Sequence, residues 1–350
     1  MDFATWLFGS LMFYFWICTG ASDFKFYWNI PSFMCKKYQI TFDRLLTEYG
    51  IIQNQNDSFR GDKISILYDP GNFPAILQNT SSKEFVYRNH GVPQEGNLSA
   101  HLELFEKQLA ELIPDSNFSG IAIIDFESWR PIYRQNFGVL KPYKALSMQI
   151  EQKKHPRWSK AQVEKEAESN FEIGAKVFMI NTLLTAKKMR PYGKWGYYAF
   201  PYCFNNGNGF NPEQCAKGVH DENNMIQWMF QSSDVIYPSV YLQERIPPFN
   251  RIPFVRGRVS EALRVAKMSD EKVRPQVLVY HRYVFTDTLR QIDAATTFNI
   301  FQEIKQNGAD GIVLWGSSYD LDTKAKCQQF QIYLKEKLGP AVRLASHLGI

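Results

Sequence analysis

Apolar runs typical of β-strands recur along the chain, and stretches with the spacing of amphipathic helices lie between them. The strand-like runs cover residues 24–30, 63–68, 120–126, 196–200, 235–242, 276–285 and 311–315. The helical spacing covers residues 101–112, 158–189, 223–230, 256–267, 294–306 and 323–338. Repeated alternation of strands and helices predicts a parallel sheet covered by helices. We therefore expect an α/β fold, a distorted (β/α) TIM-like barrel, with an open doubly wound sheet as the alternative.

The chain length fits a single barrel domain. With 350 residues, 45% of them hydrophobic, the chain can form one large core. Residues 3–21 are almost entirely apolar and end in small residues, which predicts a secretory signal peptide over residues 1–22. Its n-region lacks Lys and Arg, so an uncleaved anchor is the alternative. We expect the barrel over residues 23–340, a C-terminal tail over residues 341–350, and a secreted, extracellular protein without membrane attachment after signal removal.

The composition narrows the classes of partner. The formal net charge is +5, and removal of the signal peptide takes away one acidic residue, so a basic excess remains that suits an anionic partner. The chain contains 8 Trp, 18 Tyr and 27 Phe, which indicates either a bulky core or an aromatic groove that stacks on sugars. Neither GxGxxG after the first strand nor GxxxxGK[ST] occurs, so nucleotide binding is not expected. We expect a monomer that uses no cofactor and binds no nucleic acid.

The cysteines predict two disulfides. Cys18 lies in the predicted signal peptide, and Cys35, Cys203, Cys215 and Cys327 remain, an even number that is typical of disulfides in a secreted protein. The sequence allows three pairings; one joins Cys203 to Cys215 in a short loop and Cys35 to Cys327 between the first strand region and the last helix. No nearby CxxC motif or pair of histidines indicates a metal site, so zinc is not expected.

Four Asn-x-Ser/Thr sequons lie in the first third of the chain, at Asn56, Asn79, Asn97 and Asn117. A single sequon carries little weight, but a cluster that follows a signal peptide predicts glycosylation. We therefore expect N-linked glycans in this region.

Two carboxylates end the third strand-like run, in the sequence GIAIIDFESWRP at residues 120–131. Asp125 and Glu127 are two residues apart, so in a strand their side chains point to the same face. The catalytic residues of barrel enzymes lie at the carboxyl ends of the strands, and glycosidic bonds are usually cleaved by a pair of carboxyl groups. The alternative is a structural ion pair with Arg130 or Arg134.

Aromatic residues also lie at the carboxyl ends of the other predicted strands. These residues are Tyr68, Tyr198, Tyr202, Tyr241, Tyr280, Tyr283 and Trp315, and the last is followed by Ser317 and Ser318. Any of them can instead be a core residue. Two acids surrounded by aromatic rings at strand ends favour a carbohydrate groove over simple packing.

The chain resembles the hyaluronidases of glycoside hydrolase family 56, most closely the insect venom and salivary enzymes. The resemblance covers nearly the whole mature chain, in the family's order. It is carried by the stretches YWNIPSFMC, GVPQEGN, IIDFESWRPIYRQN, WGYYAFPYCFN, YPSVYL, RGRVSEALRVA and DGIVLWGSSYD. The cysteine-rich tail of the vertebrate members is missing. The resemblance implies a distorted (β/α) barrel and endo-hydrolysis of the β-1,4 bonds of hyaluronan by a retaining, substrate-assisted mechanism.

The resemblance also implies roles for individual residues. It places the proton donor on Glu127 and the group that orients the substrate acetamido group on Asp125. It implies that the remaining groove contacts are Tyr198, Tyr241, Trp315, Tyr68, Arg130, Ser317 and Ser318. The disulfides that it implies are Cys35–Cys327 and Cys203–Cys215.

Two other functions remain open from the sequence. The same barrel can prefer chondroitin sulfate or chitin, although the basic excess and Arg130 favour an anionic polymer over chitin. A non-catalytic protein that binds glycosaminoglycans can keep the groove without turnover, but the intact acid pair argues against it.

Overall fold

Nine β-strands appear in the computed structural model, which describes residues 24–78, 81, 84–207, 209, 211–269 and 274–347. The strands are β1 (Lys25–Asn29), β2 (Ile64–Tyr68), β3 (Ala75–Gln78), β4 (Phe85–Arg88), β5 (Ile121–Asp125), β6 (Lys194–Tyr197), β7 (Val235–Ile236), β8 (Gln276–Arg282) and β9 (Gly311–Trp315). Strands β3 and β4 form an antiparallel hairpin that the sequence reading did not predict. The other seven strands run parallel and form the wall of a barrel.

Hydrogen bonds close these seven strands into a ring. The pairing orders are β1-β9-β8-β7 and β2-β5-β6. The N–H of Asp234 donates to the Trp195 carbonyl at 2.8 Å, which joins β7 to β6. Between β1 and β2, Ile52 exchanges backbone hydrogen bonds with β1, and the side chain of Asn54 bonds both backbone groups of Ile64. The predicted barrel is therefore confirmed, and the open-sheet alternative is wrong.

Side chains on the two faces of each strand enter two separate apolar layers. The barrel interior contains Ile64, Ile66, Ile121, Ile123, Val235, Tyr237, Leu278, Tyr280 and Val313. Their neighbours in sequence, such as Ala122 and Ile124, pack outward into the layer beneath the helices. Burial on both faces explains why these strands read as nearly continuous apolar runs.

Ten α-helices are described. They are α1 (Asp43–Glu48), α2 (Leu98–Leu112), α3 (Lys141–Lys154), α4 (Lys160–Met189), α5 (Val219–Met225), α6 (Gln227–Ser232), α7 (Pro248–Lys267), α8 (Ala294–Gln306), α9 (Lys324–Tyr333) and α10 (Gly339–His347), with a π-helical turn at Leu334–Leu338. Helix α8 and strand β9 have the predicted bounds. Helix α4 begins at a capping box in which Ser159 and Gln162 bond each other's backbone N–H groups.

Several predicted bounds are wrong for identifiable reasons. Strand β6 ends early because Ala199 adopts a φ of +71°, and β7 has two residues because Pro238, which has no N–H, interrupts the ladder. The predicted helix at 223–230 breaks at Ile226 into α5 and α6. Helix α7 starts eight residues early, at Pro248, a favoured first-turn position, and tolerates Pro253 inside it.

Both disulfides implied by the resemblance are confirmed. Cys35 and Cys327 join the 3-10 helix at 32–38 to α9, with a Cα–Cα distance of 5.7 Å. Cys203 and Cys215 close the loop after β6. The first disulfide links the two ends of the barrel domain across 292 residues of sequence.

Residues 339–347 form part of the barrel domain. Ala341, Val342 and Ala345 of α10 are buried, and the Lys305 ammonium group donates hydrogen bonds to the carbonyls of Ala345 and Ser346. The expected tail over 341–350 is thus helical as far as His347. Its apolar residues have the spacing of a helix, but this helix was not predicted. The predicted signal peptide lies outside the described residues. None of the helices in the described part of the chain is both long and apolar enough to cross a membrane.

We predict that His281 makes the fold acid-sensitive. This β8 side chain is fully buried, neither ring nitrogen has a hydrogen-bond partner among the described residues, and burial lowers its pKa to about 3. Below pH 6.5 this histidine is therefore protonated in the unfolded chain but stays neutral in the folded protein. The free energy of unfolding falls as a result, by up to about 1.4 kcal/mol per pH unit towards pH 3. His281→Leu should flatten this slope in thermal unfolding between pH 7.5 and 4. His347→Leu, on the surface, is the control, and an unchanged slope in His281→Leu contradicts the prediction.

Candidate active site

The two acids lie together at the mouth of the barrel. Asp125 is the last residue of β5, and its carboxyl group forms a hydrogen bond with that of Glu127. Between them, Phe126 points the other way and stacks on Phe73 with ring centroids 4.1 Å apart. Burial of this ring on the outer face of β5 fixes both carboxyl groups on the inner, open side. The same-face geometry predicted from the i, i+2 spacing is therefore present.

The electrostatic surroundings favour a bound proton on this pair. Removal from water is the largest effect and raises the pKa of both carboxyl groups, since a charged carboxylate is poorly solvated there. The negative charges of Glu127 and Asp69 raise the pKa of Asp125 further. The positive charge of Arg130 opposes the effect at Glu127. The pair thus keeps one shared proton to a higher pH than free carboxylic acids do.

The alternative, a structural ion pair with Arg130 or Arg134, is not formed. Arg134 pairs with Glu222 instead, and Arg130 donates from Nη1 to the Gln135 carbonyl at 2.6 Å. Among the residues described, neither Asp125 nor Glu127 forms a salt bridge. Both acids remain available to a ligand in the groove.

An aromatic wall faces the acid pair. Tyr241 stacks on Trp315 with ring centroids 5.6 Å apart, and the indole N–H of Trp315 donates to the Tyr68 hydroxyl at 2.9 Å. The hydroxyl of Tyr198 bonds those of Tyr241 and Ser239. Burial raises the pKa of Tyr198 and Tyr241, and that of Tyr68 to about 12. These phenols therefore stay neutral and can donate hydrogen bonds.

The wall continues on the segment before β2. Phe59 stacks on Tyr68 with centroids 6.2 Å apart, and the Arg60 guanidinium lies within 6 Å of both rings. Tyr68 is 43% exposed, so this end of the wall is open to a ligand. Phe59 and Arg60 were not predicted, because they do not follow a strand end.

Arg130 sits in an aromatic cage beside Glu127. Its guanidinium carbon lies 4.6 Å from the ring centre of Tyr202 and 5.2 Å from those of Phe137 and Phe204. Cation–π contacts of this kind hold the cation in place without neutralising it. Arg130 therefore contributes a positive charge at one side of the groove.

The predicted serines lie on the opposite rim. The backbone N–H of Ser317 donates to Asp320 at 2.9 Å, and Asp320 also pairs with Arg282 at 3.0 Å. The Arg282 guanidinium in turn lies 5.2 Å from the Trp315 ring. This network fixes the rim against the aromatic wall and leaves Ser318 exposed.

Three other predicted aromatic residues have different places. Tyr280 is fully buried in the barrel interior, where its hydroxyl donates to Asn29 at 3.3 Å. Tyr283 is buried outside the barrel against Phe330. Tyr202 supports Arg130, as described above. Tyr280 and Tyr283 are thus core residues, the alternative that the sequence left open.

A partly buried arginine behind the aromatic wall was not predicted from the sequence. Arg258 of α7 donates from Nη1 to the Ser239 carbonyl at 2.7 Å and from Nε to Asn205 at 3.0 Å. Burial lowers its pKa to about 10, so it is still a cation at neutral pH. Its charge lies close to Tyr198 and Tyr202. In the sequence it is one of several arginines on a helix, and only the packing of α7 against the barrel distinguishes it.

Within the described residues, one group of side chains has the spacing of a metal site: Cys215, His220 and Glu261. The Cys215 sulfur is already bonded to Cys203, and Glu261 accepts hydrogen bonds from Arg264. This donor set does not fit a metal ion.

The sequons Asn56, Asn97 and Asn117 are all exposed, whereas Asn79 lies outside the described residues. Asn97 caps α2, where its side-chain oxygen accepts the N–H of Ala100 at 3.0 Å. The amide nitrogen to which a glycan attaches is not used in this cap.

Comparisons with known proteins agree with this geometry. A profile of glycoside hydrolase family 56, described as hyaluronidase, matches residues 17–347. The hyaluronidase Tab y 2.0101 of Tabanus yao is 51% identical over 323 residues, with 92% of each chain covered. A hyaluronidase of Apis mellifera is 47% identical over 325 residues, which cover 92% of this chain and 84% of the relative.

Comparison with solved structures gives the same result as the sequence comparisons. The crystal structure of bee venom hyaluronidase in complex with a hyaluronic acid tetramer matches with a TM-score of 0.89 at 46% sequence identity. This match covers 92% of the present chain and 99% of the other. Agreement in profile, sequence and fold over nearly the whole chain leads to one conclusion: the chain belongs to the hyaluronidases of glycoside hydrolase family 56.

Proposed function

We propose that this protein is an endo-β-N-acetylhexosaminidase that hydrolyses the β-1,4 bonds of hyaluronan with retention of configuration, with Glu127 as the proton donor. The observation that carries the proposal is the hydrogen-bonded pair Asp125–Glu127, free of salt bridges among the described residues and facing an aromatic wall. Sugar rings stack on flat aromatic side chains, and a protonated carboxyl group can activate the leaving oxygen.

The position of Asp125 argues for substrate assistance. A retaining glycosidase with two carboxylates needs the nucleophile on the side of the anomeric carbon opposite the acid. Asp125 lies on the same strand face as Glu127 and bonds it directly, so it is poorly placed for that attack. The acetamido oxygen of the substrate can instead attack C1 as the leaving oxygen takes the proton of Glu127. The resulting oxazolinium ion is opened by water, which Glu127 then deprotonates.

Substrate binding determines which of the two acids carries the shared proton. A carboxylate accepts the hydrogen bond of the acetamido N–H more strongly than a neutral carboxyl group does. Binding therefore favours the anionic form of Asp125 and leaves the proton on Glu127, next to the leaving oxygen. The anion then stabilises the positive charge that develops on the acetamido group. Tyr198 and Tyr241 hold this group against Trp315.

The remaining groove residues hold the polymer. Tyr68 offers an exposed ring, and Ser317 and Ser318 offer hydrogen bonds on the opposite rim. We further propose that residues 1–22 direct secretion, that the sequons carry glycans, and that the enzyme acts as a monomer. We also propose chondroitin sulfate, another anionic polymer of N-acetylhexosamine, as a second substrate.

A substrate panel tests this function. Reducing ends released from hyaluronan, chondroitin sulfate and chitin are measured with the purified protein. We expect hyaluronan to be cleaved fastest and chitin, which is uncharged, not to be cleaved. Binding of hyaluronan without release of reducing ends supports the non-catalytic alternative, and faster cleavage of chondroitin sulfate reverses the substrate preference.

Arg130→Ala should raise KM for hyaluronan several-fold at low ionic strength, with a smaller effect above about 0.3 M salt, because salt screens charge contacts. The measurement is steady-state kinetics over a salt series. Arg157→Ala, which removes an exposed cation on the segment between α3 and α4, is the matched control. A rise in KM that is independent of salt means that Arg130 acts through its aromatic cage and not through its charge.

A further inference from the structure

A cavity of about 540 Å³ lies beside the rim that carries Ser317 and Ser318. Its volume is in the range of sites for small ligands. It lies between the loop that follows β8, the one-turn helix Ser318–Asp320 and the C-terminal helices. Its polar and aromatic lining includes Tyr283, Arg290, Tyr319, Asp320, Lys326 and Lys337. We call it the rim cavity.

Asp320 belongs both to the rim of the groove and to the lining of the rim cavity. It accepts the N–H of Ser317 and pairs with Arg282, which lies over Trp315. The short helix Ser318–Asp320 thus carries one rim residue, Ser318, and two residues that line the cavity, Tyr319 and Asp320. A polymer that crosses the rim at Ser318 therefore lies next to residues of the cavity.

The charges around the cavity favour an anion. Asp320 is neutralised by Arg282, Arg290 pairs with Glu244, and Lys326 pairs with Asp322. Lys337 is exposed and has no salt-bridge partner in the described part of the chain. One positive charge thus remains uncompensated, and the side chain of Arg290 is 74% exposed and can bond a ligand as well.

An aromatic ring stands at the entrance. Tyr319 is 78% exposed, although it lies in a short helix whose ends are fixed by the bonds of Ser317 and Asp320. Lys326 donates a hydrogen bond to the Tyr319 carbonyl at 2.7 Å, which further fixes the backbone. A rigid, exposed tyrosine beside cations has the chemistry of a platform for an acidic sugar.

We propose that the rim cavity binds a further stretch of the anionic polysaccharide whose reacting bond lies at Glu127. This inference rests on the proposed function. A sugar ring stacks on Tyr319, and a uronate carboxylate is bound by Lys337 and Arg290. Only chains long enough to occupy the groove and the cavity together gain this contact, so the cavity raises affinity for long polymers in the manner of a bivalent interaction.

The double variant Tyr319→Ala/Lys337→Gln tests the proposal. We expect KM for high-molecular-weight hyaluronan to rise about 3- to 10-fold with kcat unchanged. The KM for the shortest oligosaccharide that the wild type cleaves should stay the same. The matched control is Tyr192→Ala/Lys335→Gln: Tyr192 is 65% exposed just before β6, at the opposite end of the barrel, and Lys335 is exposed outside the cavity. An unchanged KM for the polymer, or an equal rise for both substrate lengths, overturns the proposal.

Binding measurements separate this proposal from the proposed function. Both double variants are combined with Glu127→Gln, and their affinity for high-molecular-weight hyaluronan is measured by affinity electrophoresis. If the wild type does not cleave hyaluronan, only the proposed function is contradicted, because the affinity measurement does not depend on cleavage. Loss of affinity only in the Tyr319/Lys337 variant supports the rim cavity, and equal affinity in both variants overturns it.

Discussion

Glu127→Gln should fold normally and lose roughly 10³-fold or more in turnover on hyaluronan, since general acid catalysis contributes about 10²- to 10⁴-fold. Glutamine keeps the size and the hydrogen-bonding reach of the side chain but cannot release a proton to the leaving oxygen. The side chain is exposed to the groove, so the change leaves no cavity in the core. Turnover is measured as reducing ends released, and binding of the polymer by the variant is expected to persist.

Glu172→Gln is the matched control for this variant. Glu172 is, like Glu127, a carboxyl group with a raised pKa, but it is partly buried and accepts the backbone N–H of Tyr133 behind the groove. Glutamine can accept the same bond, so this control should keep near wild-type turnover. Near-normal activity of Glu127→Gln would remove Glu127 from the role of proton donor. Loss of activity in both variants would indicate a structural effect.

The barrel could be predicted from the sequence because its strands are short apolar runs that are buried on both faces. Strand β9 and helix α8 are bounded by clear signals, and their predicted ends agree with the structure. The hairpin β3–β4 was missed although both strands contain apolar residues, because each strand is only four residues long and neither alternates between apolar and polar positions. Helix α10 was missed because the residues after the last predicted helix were interpreted as a C-terminal tail.

The acid pair of the site could also be predicted, because i, i+2 spacing fixes a common face whatever the tertiary structure. The aromatic wall could be predicted only in part. Tyr68 and Trp315 are the last residues of the parallel strands β2 and β9, and closure of the barrel brings them into hydrogen-bonding distance across 247 residues. Tyr280 also lies at a strand end but points into the interior, and the sequence has no signal that separates it from Tyr241.

Asp69 and Arg258 show what local sequence cannot reveal. Asp69 reads as part of a turn, yet its charge raises the pKa of Asp125, and it is held by two hydrogen bonds from Arg88. Arg258 acts through a carbonyl on a different element. In each case the consequence depends on long-range packing between elements, which periodicity does not encode.

Asp125→Asn should lower turnover by about 10²- to 10³-fold while KM changes only a few-fold, because the anion acts mainly on the charge that develops in the transition state. Asparagine can still accept the acetamido N–H through its oxygen, so binding is largely retained. Asp115→Asn, on an exposed turn, is the control. Hyaluronan from which the N-acetyl groups have been removed lacks the proposed nucleophile, and the wild type should not cleave it. Efficient cleavage of that polymer would contradict substrate assistance even if Asp125 proved essential.

The same variant should be more heat-stable than the wild type at high pH. The raised pKa of Asp125 means that the folded protein binds a proton which the unfolded chain has already released above about pH 4. Wild-type stability therefore falls as the pH rises from about 4 towards the raised value, whereas asparagine has no proton to lose. Thermal unfolding should give a higher midpoint for Asp125→Asn at pH 8 and nearly equal midpoints at pH 4. If the two midpoints differ by the same amount at every pH, the substitution has changed packing and not the free-energy cost of ionising Asp125.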